Sequence, residues 1–142
     1  MTASQNHKYN QLKWLYSALS GFCAAYFLAL FSGSQSIEQS PCLLISTLLF
    51  SVCLPIFTAF AIAHVYMSES DLTVEQCDRA LNLKWVNWLT ISAFSLLYFA
   101  VWFLTAFFSF WVVMAFTIAS VTCFFIFVVF IRRLHAFSAA ES

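Results

Sequence analysis

Charged residues are scarce in this sequence, and that scarcity excludes a surface that faces water. Of the 142 residues only 8% are Asp, Glu, Lys or Arg, whereas 63% are hydrophobic. Soluble domains usually carry about 25% charged residues. No charged residue occurs between Val86 and Ile131. We therefore predict that the protein surface faces lipid.

Glycines are few and catalytic motifs are absent, which reduces the number of function classes that fit the sequence. The chain has only two glycines, too few for a Gly-rich nucleotide loop, and it contains neither HExxH nor GxSxG. Its five cysteines include no CxxC pair, so neither a disulfide framework nor a thiolate metal site is indicated. The basic residues are few and dispersed, which disfavours nucleic-acid binding. We expect no enzymatic activity, no metal and no nucleic-acid partner, and the favoured interpretation includes no cofactor.

Four apolar stretches are long enough to cross a bilayer: residues 14–31, 43–66, 86–107 and 109–131. A helix rises about 1.5 Å per residue, so the uncharged run 86–131 is roughly twice as long as a hydrocarbon core is thick. It must fold back, and its least apolar point, 105–109, predicts the turn. Span 1 follows Lys8 and Lys13 as a cleaved signal peptide would, but its 18 residues exceed the usual apolar region of about 7–15.

The basic residues predict the orientation of these spans. All six lie before span 1, between spans 2 and 3, or after span 4: Lys8, Lys13, Arg79, Lys84, Arg132 and Arg133. The loop 32–41 and the turn near residue 107 have none, so the positive-inside rule places both termini in the cytoplasm. We predict one all-α membrane domain, residues 1–142, with four transmembrane helices in two hairpins, N-in and C-in. Its size and simplicity favour a bacterial inner membrane.

The segment 67–85 is predicted to be a cytoplasmic loop that contains a helix start. Thr73 and Gln76 have capping-box spacing. A stripe of apolar residues at steps of three and four follows: Val74, Cys77, Leu81, Trp85 and Trp88. These patterns predict that helix 3 begins near Val74 in the cytoplasm and runs unbroken into span 3.

Small residues recur at every fourth position in the first two spans. The first set is Ser17, Gly21, Ala25 and Ala29, and the second set is Thr47, Ser51, Pro55, Ala59 and Ala63. Small side chains allow close backbone approach, on which helix association in lipid depends. The favoured interpretation is that spans 1 and 2 pack against each other along these faces; the alternative is that one face contacts another protein. Pro55 is also expected to kink span 2.

The three histidines, His7, His64 and His135, all map to the predicted cytoplasmic side. Three converging imidazoles would suit a metal, and two would suit a b-type haem. Only His64 is held by a span, and His135 lies just beyond span 4. A lone interfacial histidine is more often solvated, so His64 and His135 are possible cofactor-binding residues only.

The spans lack the buried charges on which proton-coupled transporters and ion pumps depend. The favoured function is a non-enzymatic accessory, assembly or immunity-type subunit that acts by helix–helix contact. Its partner surface would be a small-residue face or the predicted 74–85 helix. The alternatives are a haem- or quinone-binding subunit and an oligomeric channel or permease lined by hydroxyls.

Overall fold

The computed structural model describes residues 3–33, 40–69 and 83–140, and the side chains of 11–33, 40–67 and 83–133. Four helices account for nearly all of this part of the chain. They are α1 (Ala3–Ser32), α2 (Pro41–Glu69), α3 (Lys84–Phe108) and α4 (Phe110–Ala140). Within the described ranges helix is the only regular secondary structure.

Each helix contains a stretch long and apolar enough to cross a membrane: Gln11–Ser32, Pro41–Met67, Lys84–Phe108 and Phe110–Arg133. These stretches coincide with the four predicted spans to within three residues. The prediction of four helices, each long and apolar enough to span a membrane, is therefore confirmed. Helix α2 continues through Pro55.

The turn between α3 and α4 consists of a single residue, Ser109. Its extended backbone (φ −170°, ψ 143°) ends α3, and its N–H donates to the Thr105 carbonyl. Its own carbonyl accepts the Val113 N–H, and its hydroxyl accepts the Trp111 N–H at 3.3 Å. Ser109 thus serves as the N-cap of α4, a position that serine favours. The predicted turn at 105–109 is confirmed.

The predicted continuous helix from Val74 into span 3 is interrupted. Helix α3 begins at Lys84, and Leu83 before it is extended, with φ −61° and ψ 129°. The Leu83 carbonyl accepts the Val86 and Asn87 N–H groups that open the helix. An apolar period can continue across a backbone break, which is why the stripe did not reveal it. The predicted capping box and residues 74–82 lie outside the described residues, as does most of the predicted loop 32–41.

The core lies between the first three helices. Phe57 of α2 is fully buried and contacts Tyr16 of α1 and Phe94 of α3 through ring pairs 6.4 and 5.7 Å apart. The other buried members of this core are Cys23, Phe50, Cys53, Ala93 and Ala100. Helix α2 therefore lies at the centre, with α1 on one side and α3 on the other.

Helix α4 is peripheral to that core. Its principal packing is against α3, where the rings of Tyr98 and Phe116 stack at 5.6 Å. Of its described side chains only Val113 is buried. The rest of α4, including the run Phe124–Phe127, is mostly exposed, as expected for a surface that faces lipid or another helix.

Candidate functional site

The contact between α1 and α2 combines aromatic stacking with two hydroxyl pairs. Tyr26 stacks on Phe50 at 4.1 Å. The Tyr26 hydroxyl donates to Thr47 Oγ1 at 2.7 Å, because the Thr47 hydroxyl proton is used on the Leu43 carbonyl. Ser20 donates in the same way to Thr58 Oγ1, also at 2.7 Å. Interhelical hydrogen bonds of this kind stabilise helix pairs in lipid.

The predicted small-residue face of α1 does not form this contact. Ser17, Gly21, Ala25 and Ala29 are all exposed. At about 100° per residue they lie on a different face of α1 from the packed positions Tyr16 and Cys23. A Cβ atom added at Gly21 would meet no atom within 4 Å. The prediction that spans 1 and 2 pack along their small residues is therefore wrong for α1.

The small-residue face of α2 is also turned outward. Ser51, Pro55, Ala59 and Ala63 are exposed, and only Thr47 reaches α1. Two apolar stripes with the same period run along each helix, and the stripe of large side chains is the one that packs. Stacked rings supply more contact area than methyl groups do, which explains why the large side chains rather than the small ones form the contact.

A groove of about 390 Å³ lies between α2 and the beginning of α3. The small residues Pro55, Ala59 and Ala63 form one side of it, and Trp85 and Leu89 form the other. The remaining lining residues are Ile56 and Phe60. The lining is almost entirely apolar, so the groove suits a hydrophobic ligand or an acyl chain.

Small residues do mediate close packing, but between α2 and α3. Ala93 and Ala100 of α3 are fully buried against α2. The Ser46 hydroxyl donates to the Ala100 carbonyl at 2.9 Å, and Cys53 Sγ lies 3.9 Å from the Ala93 carbonyl. A side chain can reach a backbone carbonyl of another helix only where the two backbones approach closely. This contact was not predicted from the sequence, because alanines seven residues apart are common in apolar helices.

One interhelical hydrogen bond joins α3 to α4 among the described side chains. Trp102 Nε1–H donates to Thr117 Oγ1 at 3.1 Å. The Thr117 hydroxyl in turn donates to the Val113 carbonyl within α4.

Substitution of Thr117 by valine is expected to weaken the α3–α4 contact by about 0.6 kcal/mol, the average for interhelical hydrogen bonds in membranes. Thr122→Val is the matched control, because the Thr122 hydroxyl bonds only within its own helix, to Ile118. Unfolding of both variants in mixed detergent, followed by circular dichroism, measures the difference. Equal loss of stability in the two variants would contradict a role for the Trp102 bond.

His64 is the one buried side chain among those described whose polar atoms are incompletely paired. It is only 2% exposed, and its Nδ1 lies 2.8 Å from the Phe60 carbonyl. Its Nε2 is buried and has no hydrogen-bond partner. A buried unpaired polar atom costs about 1–3 kcal/mol, so such an atom requires an explanation.

The surroundings of His64 are aromatic. The Tyr16 ring lies 5.0 Å from the imidazole, and Phe60 stacks on Tyr16 at 5.2 Å. No cluster of three or more His, Cys, Asp or Glu occurs among the described residues. His135 is in α4, but its side chain, like that of His7, lies outside the described part, so the predicted pairing of His64 with His135 stays a prediction.

These features define the described part of the chain as all-helical, with four helices long and apolar enough to span a membrane and a core between the first three. The sequence matches no family model, and comparisons with curated proteins and with solved structures gave no significant match.

Proposed function

We propose that the protein is a non-enzymatic accessory or assembly subunit of a cellular membrane, and that it acts by lateral contact between its α1 small-residue face and a helix of another membrane protein. This proposal follows from which surfaces the fold uses and which it leaves open. Tyr16 and Cys23 of α1 are buried in the core, whereas Ser17, Gly21, Ala25 and Ala29 remain exposed, together with larger side chains such as Phe22 and Leu28.

The observation that carries the proposal is the open surface at Gly21. Nothing lies within 4 Å of the Cβ position there, and the flanking ladder positions bear only a hydroxymethyl or methyl group. A neighbouring helix can therefore approach the α1 backbone closely, which is how helices associate without a hydrophobic driving force.

The distribution of basic residues supports the orientation that we propose, with both termini in the cytoplasm of a bacterial inner membrane. Lys13 lies near the start of the α1 span and Lys84 at the start of α3. Because Tyr16 contacts His64, the start of the α1 span lies beside the end of α2. Ser109 lies at the opposite end of α3 from Lys84. Arg132 and Arg133 close the α4 span, and cytoplasmic ends carry such an excess of Lys and Arg.

Substitution of Gly21 by leucine is expected to separate the protein from its partner and leave its own fold intact. A Cβ atom at this position has open space around it, and leucine has a higher intrinsic helix propensity than glycine. Co-purification of a second polypeptide in mild detergent, detected by native mass spectrometry, is expected for the wild type and lost for Gly21→Leu.

Ala119→Leu is the matched control, because Ala119 is an exposed small residue on α4, away from the α1 face. It is expected to retain the partner. Absence of a second polypeptide in the wild type, or its retention in Gly21→Leu, would contradict the proposal. Loss of thermal stability in Gly21→Leu would show instead that the face packs within the protein.

A further inference from the structure

The groove between α2 and the beginning of α3 has the length of one bilayer leaflet. On α2 its lining runs from Ala63, near the end of the apolar stretch Pro41–Met67, to Pro55 near the middle of that stretch. These two positions are about 12 Å apart along the helix, close to half of a hydrocarbon core about 30 Å thick. On α3 the lining residues are Trp85 and Leu89. The groove therefore reaches from one end of the apolar stretches to their middle, as an acyl chain does within a single leaflet.

The size of the groove favours a chain of methylene groups over a helix. A helix about 10 Å across occupies roughly 900 Å³ over that length, whereas the groove offers about 390 Å³. Beyond Leu89 the two helices close on each other, since Ala93 is fully buried and Cys53 Sγ lies 3.9 Å from its carbonyl. A linear acyl chain fits between α2 and α3 as they stand, but a helix does not.

The end of the groove at the membrane surface is suited to a phosphate. Lys84 is exposed and immediately precedes the lining residue Trp85. Leu83 provides no side-chain cap for α3, and the first N–H groups of a helix have no partner within it, so they add to the attraction for an anion. Trp85 is 64% exposed, and indole rings favour the depth of lipid headgroups. A phosphodiester can therefore pair with Lys84 while its acyl chain enters the groove.

The charges of the described side chains favour an anionic lipid over a zwitterionic one. Lys13 lies near the beginning of the α1 span, which the Tyr16–His64 contact places beside the end of α2. All the charged side chains in the described part are basic: Lys13, Lys84, Arg132 and Arg133. Basic residues close to a membrane surface attract anionic lipids. A choline headgroup carries a cation of its own and gains less from these side chains.

We propose that the α2–α3 groove binds an acyl chain of an anionic phospholipid whose phosphodiester pairs with Lys84. Trp85 and Leu89 contact the chain from α3, and the small residues Pro55, Ala59 and Ala63 leave room for it on α2. This site is independent of the α1 face and of the subunit function proposed above.

The test is native mass spectrometry of the delipidated full-length protein in detergent, titrated with dioleoylphosphatidylglycerol. One lipid per chain is expected to bind more tightly than any further lipid, and dioleoylphosphatidylcholine is expected to bind that site more weakly. Ala59→Leu fills the groove with a side chain and is expected to lower the affinity of the site at least about tenfold. Ala119→Leu, the same change at an exposed position of α4, is the matched control and is expected to bind as the wild type does.

Lys84→Gln is the second variant, because it removes the charge and leaves the lining of the groove unchanged. It is expected to lower the affinity for phosphatidylglycerol about fivefold and to abolish the preference over phosphatidylcholine. A wild type without a distinct first lipid, equal affinity in Ala59→Leu, or an unchanged lipid preference in Lys84→Gln would overturn the proposal. So would a second polypeptide that the wild type retains and Ala59→Leu loses, because the groove would then bind a protein.

Discussion

Replacement of Phe57 by alanine is expected to lower the free energy of unfolding by about 2–3 kcal/mol. Phe57 is fully buried and contacts both Tyr16 of α1 and Phe94 of α3, so its loss opens a cavity at the point where three helices meet. We expect less than the 3–5 kcal/mol seen for such changes in water-soluble cores. The unfolded helices remain in lipid, so only the packing contacts are lost.

Unfolding in mixed dodecyl maltoside and sodium dodecyl sulfate, followed by circular dichroism, measures this loss. Phe125→Ala is the matched control, because this substitution removes the same atoms from a side chain on α4 that is 69% exposed. Its effect is expected to stay within about 0.5 kcal/mol. Equal effects of the two substitutions would show that Phe57 is not at the centre of a three-helix core.

Replacement of Ala100 by leucine is expected to separate α2 from α3 and to cost about 1–3 kcal/mol, the range for overpacked cores. We expect the upper part of that range. Ala100 is fully buried, and its carbonyl accepts the Ser46 hydroxyl at 2.9 Å. Additional atoms at this position press on the α2 backbone and break that hydrogen bond, so steric strain and an unpaired buried hydroxyl add together.

The same detergent titration tests Ala100→Leu against Ala115→Leu, an equal change at an exposed position of α4. The control is expected to unfold as the wild type does. A second measurement locates the damage, since cysteine accessibility at Cys53 should rise when α2 and α3 part. Cys53 is fully buried and its sulfur lies against the Ala93 carbonyl. A buried, unreactive Cys53 in Ala100→Leu would contradict close backbone packing at this interface.

The number of helices and the extent of their apolar stretches were predictable because they depend on local composition alone. A stretch with no charge, such as 86–131, has no stable position in water and must satisfy its backbone within a helix in lipid. Its length then requires a turn, and Ser109 provides it with its carbonyl and hydroxyl. The break at Leu83 was missed, since an apolar stripe carries no information about one backbone dihedral.

The packing surfaces were not predictable, because several faces of each helix carry suitable residues. On α1 the stripe through Tyr16 and Cys23 and the stripe through Gly21 have the same period, and nothing along the chain distinguishes them. The structure selects the aromatic stripe and leaves Gly21 open. The packing role of Ala93 and Ala100 could not be read from their spacing. It depends on the close approach of α2 and α3, which lets the Ser46 hydroxyl reach the Ala100 carbonyl.

The sequence by itself determined that this protein crosses a membrane with four helices, because hydropathy and length act residue by residue along one chain. Only the tertiary structure decided that α2 is central, that α4 is peripheral, and that Nε2 of His64 is buried without a hydrogen-bond partner. Those properties depend on which residues from different helices share the same space. In lipid, where every face is apolar, side-chain fit and hydrogen bonds make that choice rather than hydrophobicity.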